Sequence, residues 1–445
     1  MLFTLSILII FLFLLIISIS IWKIHPFIAL ILTAMGLGLS MGLGGPQTVD
    51  VLLKGFSETL RWVAVIIILG AFIGEVLQES GGAVRLAQYV VKQVGEKKLP
   101  WAMGITGYMV SIPVFVDVAY ILLQPVTESL AVKSKKPVLY IGLSLAAGLT
   151  VAHTLIPPTP GPLAVASLLQ LDLGRMLWIN LTVGAFAMIG GVCWVIFSVK
   201  NSWLEYDQKL SLSISSDQGQ SEETSPTKSV SFLGALLPIL IPILLIGLGA
   251  FMEVEEGSIW ARLLNFFSLP MVAVLVGALI SIFQLPATNK KGTINRLVEQ
   301  AILKSALVIM ITGAGGSLGF MIKETGVQND IVALFSGFPF LGMMLPFVVA
   351  ALLTTATGSI TVSLVGTASM IGPMVDSFPI SPEIVAAMIG CGSFCVFHAN
   401  ASFFWLLNRL HEVPPNILYK TYTLQSLIMG ISGLVGVLLL SLFGG

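Results

Sequence analysis

The sequence predicts an all-α polytopic membrane protein: two inverted repeats of about five crossings each, with a re-entrant hairpin and a broken helix in each repeat. Three observations carry that prediction. Of 445 residues, 56% are hydrophobic and 10% charged, where a soluble domain carries roughly a quarter charged residues. Many apolar runs reach the ~18 residues that read as a membrane-spanning helix. Motifs of the first half also return 245 residues later, Glu79-Ser80-Gly81 as Glu324-Thr325-Gly326 and His153 as His398.

The balance of charges excludes several classes. Lys and Arg number 22 and so do Asp and Glu, so there is no basic face for nucleic acid and no acidic tail. Cys193, Cys391 and Cys395 sit in apolar runs with neither a CxxC pair nor an even count; they indicate no zinc and no disulfide framework. No cofactor motif is present. The run from Leu2 to Trp22 lacks a basic residue ahead of it and a small-residue cleavage site after it, and reads as a retained first span.

Apolar runs place spans at Leu2–Trp22, Pro26–Gly44, Leu60–Gln78, Pro137–Ile156 and Met176–Val199, and again at Phe232–Met252, Phe266–Leu285, Ser305–Ile322, Pro382–Ala399 and Thr421–Phe443. Residues 200–231 between them, rich in Ser, Gln, Asp and Glu, are too polar to cross a bilayer and read as a solvated linker. The chain therefore divides into 1–199, the linker 200–231, and 232–445. Leu99–Ala131 and Phe338–Ser377 are apolar but interrupted, by Pro113, Asp117 and Pro125 in one and by the cluster Thr354–Ser363 in the other; each is expected to be a re-entrant hairpin. Five crossings per half then invert the second half relative to the first. With the N-terminus outside, only Lys54, Arg61, Arg175, Arg262 and Lys323 of the 22 basic residues lie outside. The other 17 lie on the cytoplasmic side, the bias expected of a membrane protein.

Inverted repeats with a broken helix in each half are the pattern of secondary transporters, whose ligand sites lie near the midplane at half-helix ends. The breaks are VAHTLIPPTPGP (Val151–Pro162), where four prolines remove backbone donors, and FHANASFF (Phe397–Phe404), where His398, Asn400 and Ser402 are polar. Ser111 and Asp117 lie near the first hairpin tip, and Thr357 and Ser359 near the second. Hydroxyls and free N–H groups at helix N-termini suit a carboxylate. A small carboxylate is therefore expected between tips and breaks, held by Ser111, Thr159, Thr357, Ser359, Asn400 and Ser402. Asp117, His153 and His398 are ionisable within apolar segments, where a charge is costly, and are the expected proton or substrate partners. Glu75 ranks below them. GAGGSLG (Gly313–Gly319) lacks the strand and acidic residue of a nucleotide loop and reads as close helix packing.

Together, IPVFVDVAYILLQP (Ile112–Pro125), AHTLIPPTPGP (Ala152–Pro162) and HANASFFWL (His398–Leu406) resemble the gluconate permease family, proton symporters for gluconate and related small hydroxy or amino acids. The likeness extends over most of the chain. It implies the ion-transporter superfamily fold, often a homodimer, in a bacterial cytoplasmic (inner) membrane, and proton-coupled uptake of gluconate or a glycerate-like acid. Several family members carry a second histidine where Thr159 stands, and an Asn-Asp-Ala-Gly run where this chain has Asn400-Ala401-Ser402-Phe403. The alternatives are a sodium-coupled symporter of a carboxylate or serine-like amino acid, an intramembrane enzyme, against which the absence of an HExxH cluster speaks, and a channel.

Overall fold

The computed structural model describes residues 2–95, 98–200, 230–251, 259–285, 290–327, 330 and 339–442. The helices of the first half are α1 (Leu2–Ser20), α2 (Pro26–Ser40), α3 (Gly45–Glu79), α4 (Gly82–Val94), α5 (Leu99–Val110), α6 (Val116–Ser134), α7 (Val138–Leu155), α8 (Pro160–Leu169) and α9 (Leu173–Lys200). Those of the second are α10 (Phe232–Phe251), α11 (Ile259–Phe267), α12 (Pro270–Ser281), α13 (Lys290–Glu324), α14 (Pro339–Thr357), α15 (Ile360–Ile371), α16 (Pro382–Ser393) and α17 (Ser402–His411). The last, α18, spans Pro415–Leu442 and contains a π-helical turn at Tyr419–Thr423. No strand occurs among the described residues. The polar linker read over 200–231 lies outside them except at its ends.

The elements recur along the chain. Helices α3 and α13 are both 35 residues long and start 245 residues apart, at Gly45 and Lys290. Helices α8 and α17 are both 10 residues long and start at 160 and 402; α9 and α18 are both 28 residues long and start at 173 and 415. The Glu-Ser-Gly and Glu-Thr-Gly motifs are the C-terminal stops of α3 and α13. Gly81 and Gly326 sit at φ 71° and 72°, where a residue without Cβ is favoured. Their N–H groups donate to Gln78 and Lys323 carbonyls, both at 3.2 Å.

Among the described residues five helices are long and apolar enough to cross a membrane, or up to seven if each bent pair is one span. The ten expected spans exceed that for identifiable reasons. The run expected at Phe266–Leu285 is two helices, α11 and α12, bent by 75°, with Pro270 at the start of the second. The run at Pro382–Ala399 stops at Ser393, and the one at Pro26–Gly44 forms a helix of 15 residues. Helices α3 and α13 begin well before the apolar runs in them, and the stretch ahead of each run carries charged residues such as Lys54, Glu58, Lys290 and Arg296.

The long helices α3 and α13 form the most extensive helix–helix contact, and α5 against α7 and α9 against α18 follow. Small residues let these backbones approach, as expected where lipid removes the hydrophobic drive for helices to associate. A Cβ on Gly55 would stand 2.6 Å from the Gly316 carbonyl oxygen. Ser317 Oγ donates to the Leu52 carbonyl at 2.8 Å. Gly313–Gly319 is continuous helix within α13, and its glycines face Phe56, Val365 and Thr59. Beyond this seam two ion pairs join the same helices, Lys304 to Glu75 at 2.6 Å and Arg296 to Glu79 at 2.7 Å. Glu75 thus belongs to a cleft between α3 and α13, with Leu122 of α6 on its wall.

A Cβ on Gly148 of α7 would lie 2.0 Å from the Gly104 carbonyl oxygen and 2.5 Å from the Tyr108 nitrogen, both rigid backbone atoms of α5. Gly148→Leu therefore forces α5 and α7 apart, at a cost of about 1–3 kcal/mol or more. Thermal unfolding of the purified variant in detergent is expected several degrees below wild type. Gly45→Ala, which meets nothing within 4 Å, is expected to unfold near the wild-type temperature. An unchanged Gly148→Leu midpoint contradicts the packing described.

Candidate functional site

Two helices are interrupted inside the bundle. α7 ends at Leu155, the chain passes through Ile156-Pro157-Pro158-Thr159, and α8 begins at Pro160. α16 ends at Ser393, and eight residues follow before α17 begins at Ser402. A backbone group released inside a helix bundle costs several kcal/mol if it is left without a partner. The last helix of each half supplies partners. On α9, Asn180 Nδ2 donates to the Leu155 carbonyl at 2.7 Å. On α18, Ser426 Oγ accepts from the Phe397 N–H at 2.9 Å.

Helix α3 seats both the first break and the first tip. A Cβ on Gly70 would lie 2.8 Å from the Pro158 carbonyl oxygen, and one on Gly74, a turn later, 2.2 Å from that of Pro113. The tip is the tight turn Ser111–Val114, in which Ser111 Oγ donates to the Val114 carbonyl at 2.9 Å. Phe115 then opens α6 without a side-chain cap.

The second tip is two residues, Gly358 and Ser359, between α14 and α15. Gly358 has φ +70°, and a Cβ there would stand 2.3 Å from the Asn400 carbonyl oxygen. Backbone conformation and close approach both demand glycine. Tip and second break are tied together through one carbonyl: Thr355 O accepts from Asn400 Nδ2 at 2.6 Å and pairs with His398 Nε2 at 2.8 Å. A carbonyl only accepts, so His398 Nε2 carries the hydrogen.

A cavity of about 240 Å³ lies where these parts meet. Phe115, Val116 and Asp117 at the start of α6 line it, as do Thr150 and His153 of α7. So do Gly358–Thr361 at the second tip, Phe397 and Ala401–Phe403 at the second break, and Tyr422 of α18. Three helix N-termini therefore face one space: those of α6, α15 and α17. Ser359 Oγ accepts from the Val362 N–H at 3.4 Å, whereas α6 and α17 have no side-chain cap. Their uncapped N–H groups and the positive ends of the helix dipoles form a setting for an anion. Asp117 makes no hydrogen bond or ion pair to a described residue. His153 packs on Phe115, ring centroids 5.5 Å apart, and its Nδ1 is buried with no partner.

Of the residues expected at the site, Asp117, His153, Ser359 and Ser402 are brought to this cavity. The others lie around it with their polar groups engaged. Ser111 turns the first tip. Thr159 Oγ1 donates to the Ile156 carbonyl within the first break. Thr357 Oγ1 donates to Leu353 at 2.7 Å and accepts from the Ser359 N–H. His398 and Asn400 hold tip to break, although Asn400 Oδ1 is buried without a partner.

Sequence reasoning missed Thr150, which lies on the His153 face three residues earlier, and the aromatic wall of Phe115, Phe397, Phe403 and Tyr422. It also missed His411, buried with Nε2 2.6 Å from the Tyr120 hydroxyl. That bond joins α6 to α17. The helical spacing of Asp117 and Tyr120 was the available signal for a polar face on α6.

Among the described residues no group of three or more His, Cys, Asp or Glu is placed to hold a metal ion.

The chain matches the family described as GntP family permease over residues 2–443. It is 30% identical to the gluconate permease of Pseudomonas aeruginosa, with 95% of this chain and 94% of that protein covered. It is 29% identical to the D-serine transporter DsdX of Escherichia coli O6:H1, covering 99% and 98%. The crystal structure of the Alcanivorax borkumensis YdaH transporter superposes with a TM-score of 0.66 over 95% of this chain and 99% of that one, at 14% identity, a likeness of fold. The apolar helices make this a multi-pass membrane protein and its relatives make it a transporter rather than an enzyme; the chain belongs to the GntP family of permeases.

Proposed function

We propose that this permease imports gluconate, or a related small hydroxycarboxylate such as glycerate, across a bacterial cytoplasmic (inner) membrane together with protons. The observation that carries the reading is the convergence of three helix N-termini on one cavity. Each such end favours an anion by about 0.3–1 kcal/mol at exposed sites and more when partly buried. The carboxylate is placed among the first N–H groups of α6, α15 and α17 with the Ser359 and Ser402 hydroxyls beside it. The other predicted residues hold that arrangement, Ser111 and Thr159 at the first tip and break, Thr357, His398 and Asn400 at the second.

Proton coupling follows from like charge. Asp117 occupies the first turn of α6, the positive end that a substrate carboxylate would share. Two carboxylates at one site repel strongly, so a proton on Asp117 favours the substrate and the substrate favours that proton to the same degree. His153, lining the same cavity, is the second proton-carrying group. A serine-like amino acid is the second reading, favoured by the free carboxylate of Asp117, which would pair with an ammonium group in place of a proton.

The same proposal takes residues 1–199 and 232–445 as an inverted repeat joined by the linker, with α5–α6 and α14–α15 as re-entrant hairpins and the N-terminus outside. Its support is the recurrence of element lengths at displacements of 242 to 245 residues and the sidedness of the basic residues. A homodimeric assembly rests on the family resemblance.

Uptake of labelled D-gluconate into proteoliposomes tests the reading, with D-glycerate and D-serine as competitors and pH and sodium gradients imposed separately. Accumulation driven by the pH gradient and competed by D-glycerate is expected. Accumulation driven by sodium alone, or none with any of the three solutes, overturns it. For Asp117→Asn, binding of D-gluconate is expected to lose its weakening with rising pH. Gradient-driven accumulation should fall at least tenfold while exchange of labelled for unlabelled substrate persists. An Asp117→Asn protein that accumulates substrate as wild type does would remove Asp117 from the coupling.

A further inference from the structure

Tyr422 is 2% exposed, yet it lines the cavity and its hydroxyl makes no hydrogen bond to a described residue. Tyr108 and Tyr120, also within the bundle, do find partners: Tyr108 donates to the Leu181 carbonyl at 2.7 Å, and Tyr120 bonds His411. The Tyr422 hydroxyl instead opens on the cavity.

The ring is held in a fixed direction. It lies parallel to Phe397, interplanar angle 5° and centroids 6.0 Å apart, and against Phe403 at 5.7 Å. Phe397 is itself fixed by the bond from its N–H to Ser426. Tyr422 sits in the π-helical turn of α18. Such a turn widens the helix locally and is frequent at functional sites. Here Trp194 Nε1 donates to the carbonyl of the preceding Thr421 at 3.0 Å, bracing the turn from α9.

We propose that Tyr422 is a specificity-determining residue: its hydroxyl hydrogen-bonds a hydroxyl group of the carboxylate ligand, and selects hydroxylated acids over those lacking that group. The inference rests on the carboxylate reading of the cavity. Helix N-termini recognise the carboxylate that all small acids share, so they do not distinguish a hydroxy acid from a plain one. A hydroxyl that opens on the cavity without a protein partner does, since a bound ligand that covers it and lacks the matching group leaves it unpaired.

Tyr422→Phe retains the ring and its stacking, so the fold is expected to survive, with the unfolding temperature as the check. Binding of D-gluconate and of a set of its monodeoxy analogues to purified wild-type and Tyr422→Phe protein tests the proposal. Tyr422→Phe is expected to weaken D-gluconate about tenfold. One monodeoxy analogue is expected to bind both proteins equally, because its missing hydroxyl is the one Tyr422 holds. Unchanged D-gluconate affinity in the variant overturns the inference alone. So does an equal loss for every analogue, which is a packing effect. Failure of wild type to bind any of these acids or D-glycerate overturns the carboxylate reading, and this inference with it.

Discussion

Everything about this site depends on helices that stop inside the bundle. Each interrupted end releases N–H or C=O groups that need a partner inside the protein. Where the protein supplies one, the end is sealed, as Asn180 seals Leu155 and Ser426 holds Phe397. Where it does not, the end stays open to the cavity. The uncapped starts of α6 and α17, together with the second tip, are the ends left open, and they surround one cavity.

Glycine placement makes the meeting of these ends possible. Gly70 and Gly74 give α3 a flat face on which the first break and the first tip both rest, and Gly358 allows the second tip to touch the second break. At each position the intruding atom is a backbone oxygen, which does not move aside as a flexible side chain would. The geometry of the cavity is in that sense built from backbone against backbone, and side chains such as Asp117 and Tyr422 are added to it. In the function proposed, affinity for an anion comes from the frame, and discrimination and coupling come from a few side chains.

The features that announce themselves chemically were legible in the sequence. Pro157, Pro158, Pro160 and Pro162 cannot continue a helix, so the first break was readable from composition. The glycine after Glu-Ser and Glu-Thr marked two equivalent helix stops. Asp117 and His153 stood out as ionisable groups in apolar surroundings, and both line the cavity. Features that depend on tertiary contact were not legible. Hydroxyl and amide groups look alike in sequence whether they bond a neighbouring carbonyl or face a ligand, so Ser111 and Thr357 could not be told from Ser359. Tyr422 lies in an apolar run and becomes notable only once its ring is seen between Phe397 and Phe403. The charged residues ahead of the apolar runs in α3 and α13 concealed the true starts of those helices.

A structure of the protein with D-gluconate bound would show which helix ends hold the carboxylate. The carboxylate is expected at the starts of α6, α15 and α17, within hydrogen-bond reach of the Ser359 and Ser402 region. A ligand seated instead in the cleft between α3 and α13, beside Glu75 and Lys304, would contradict it.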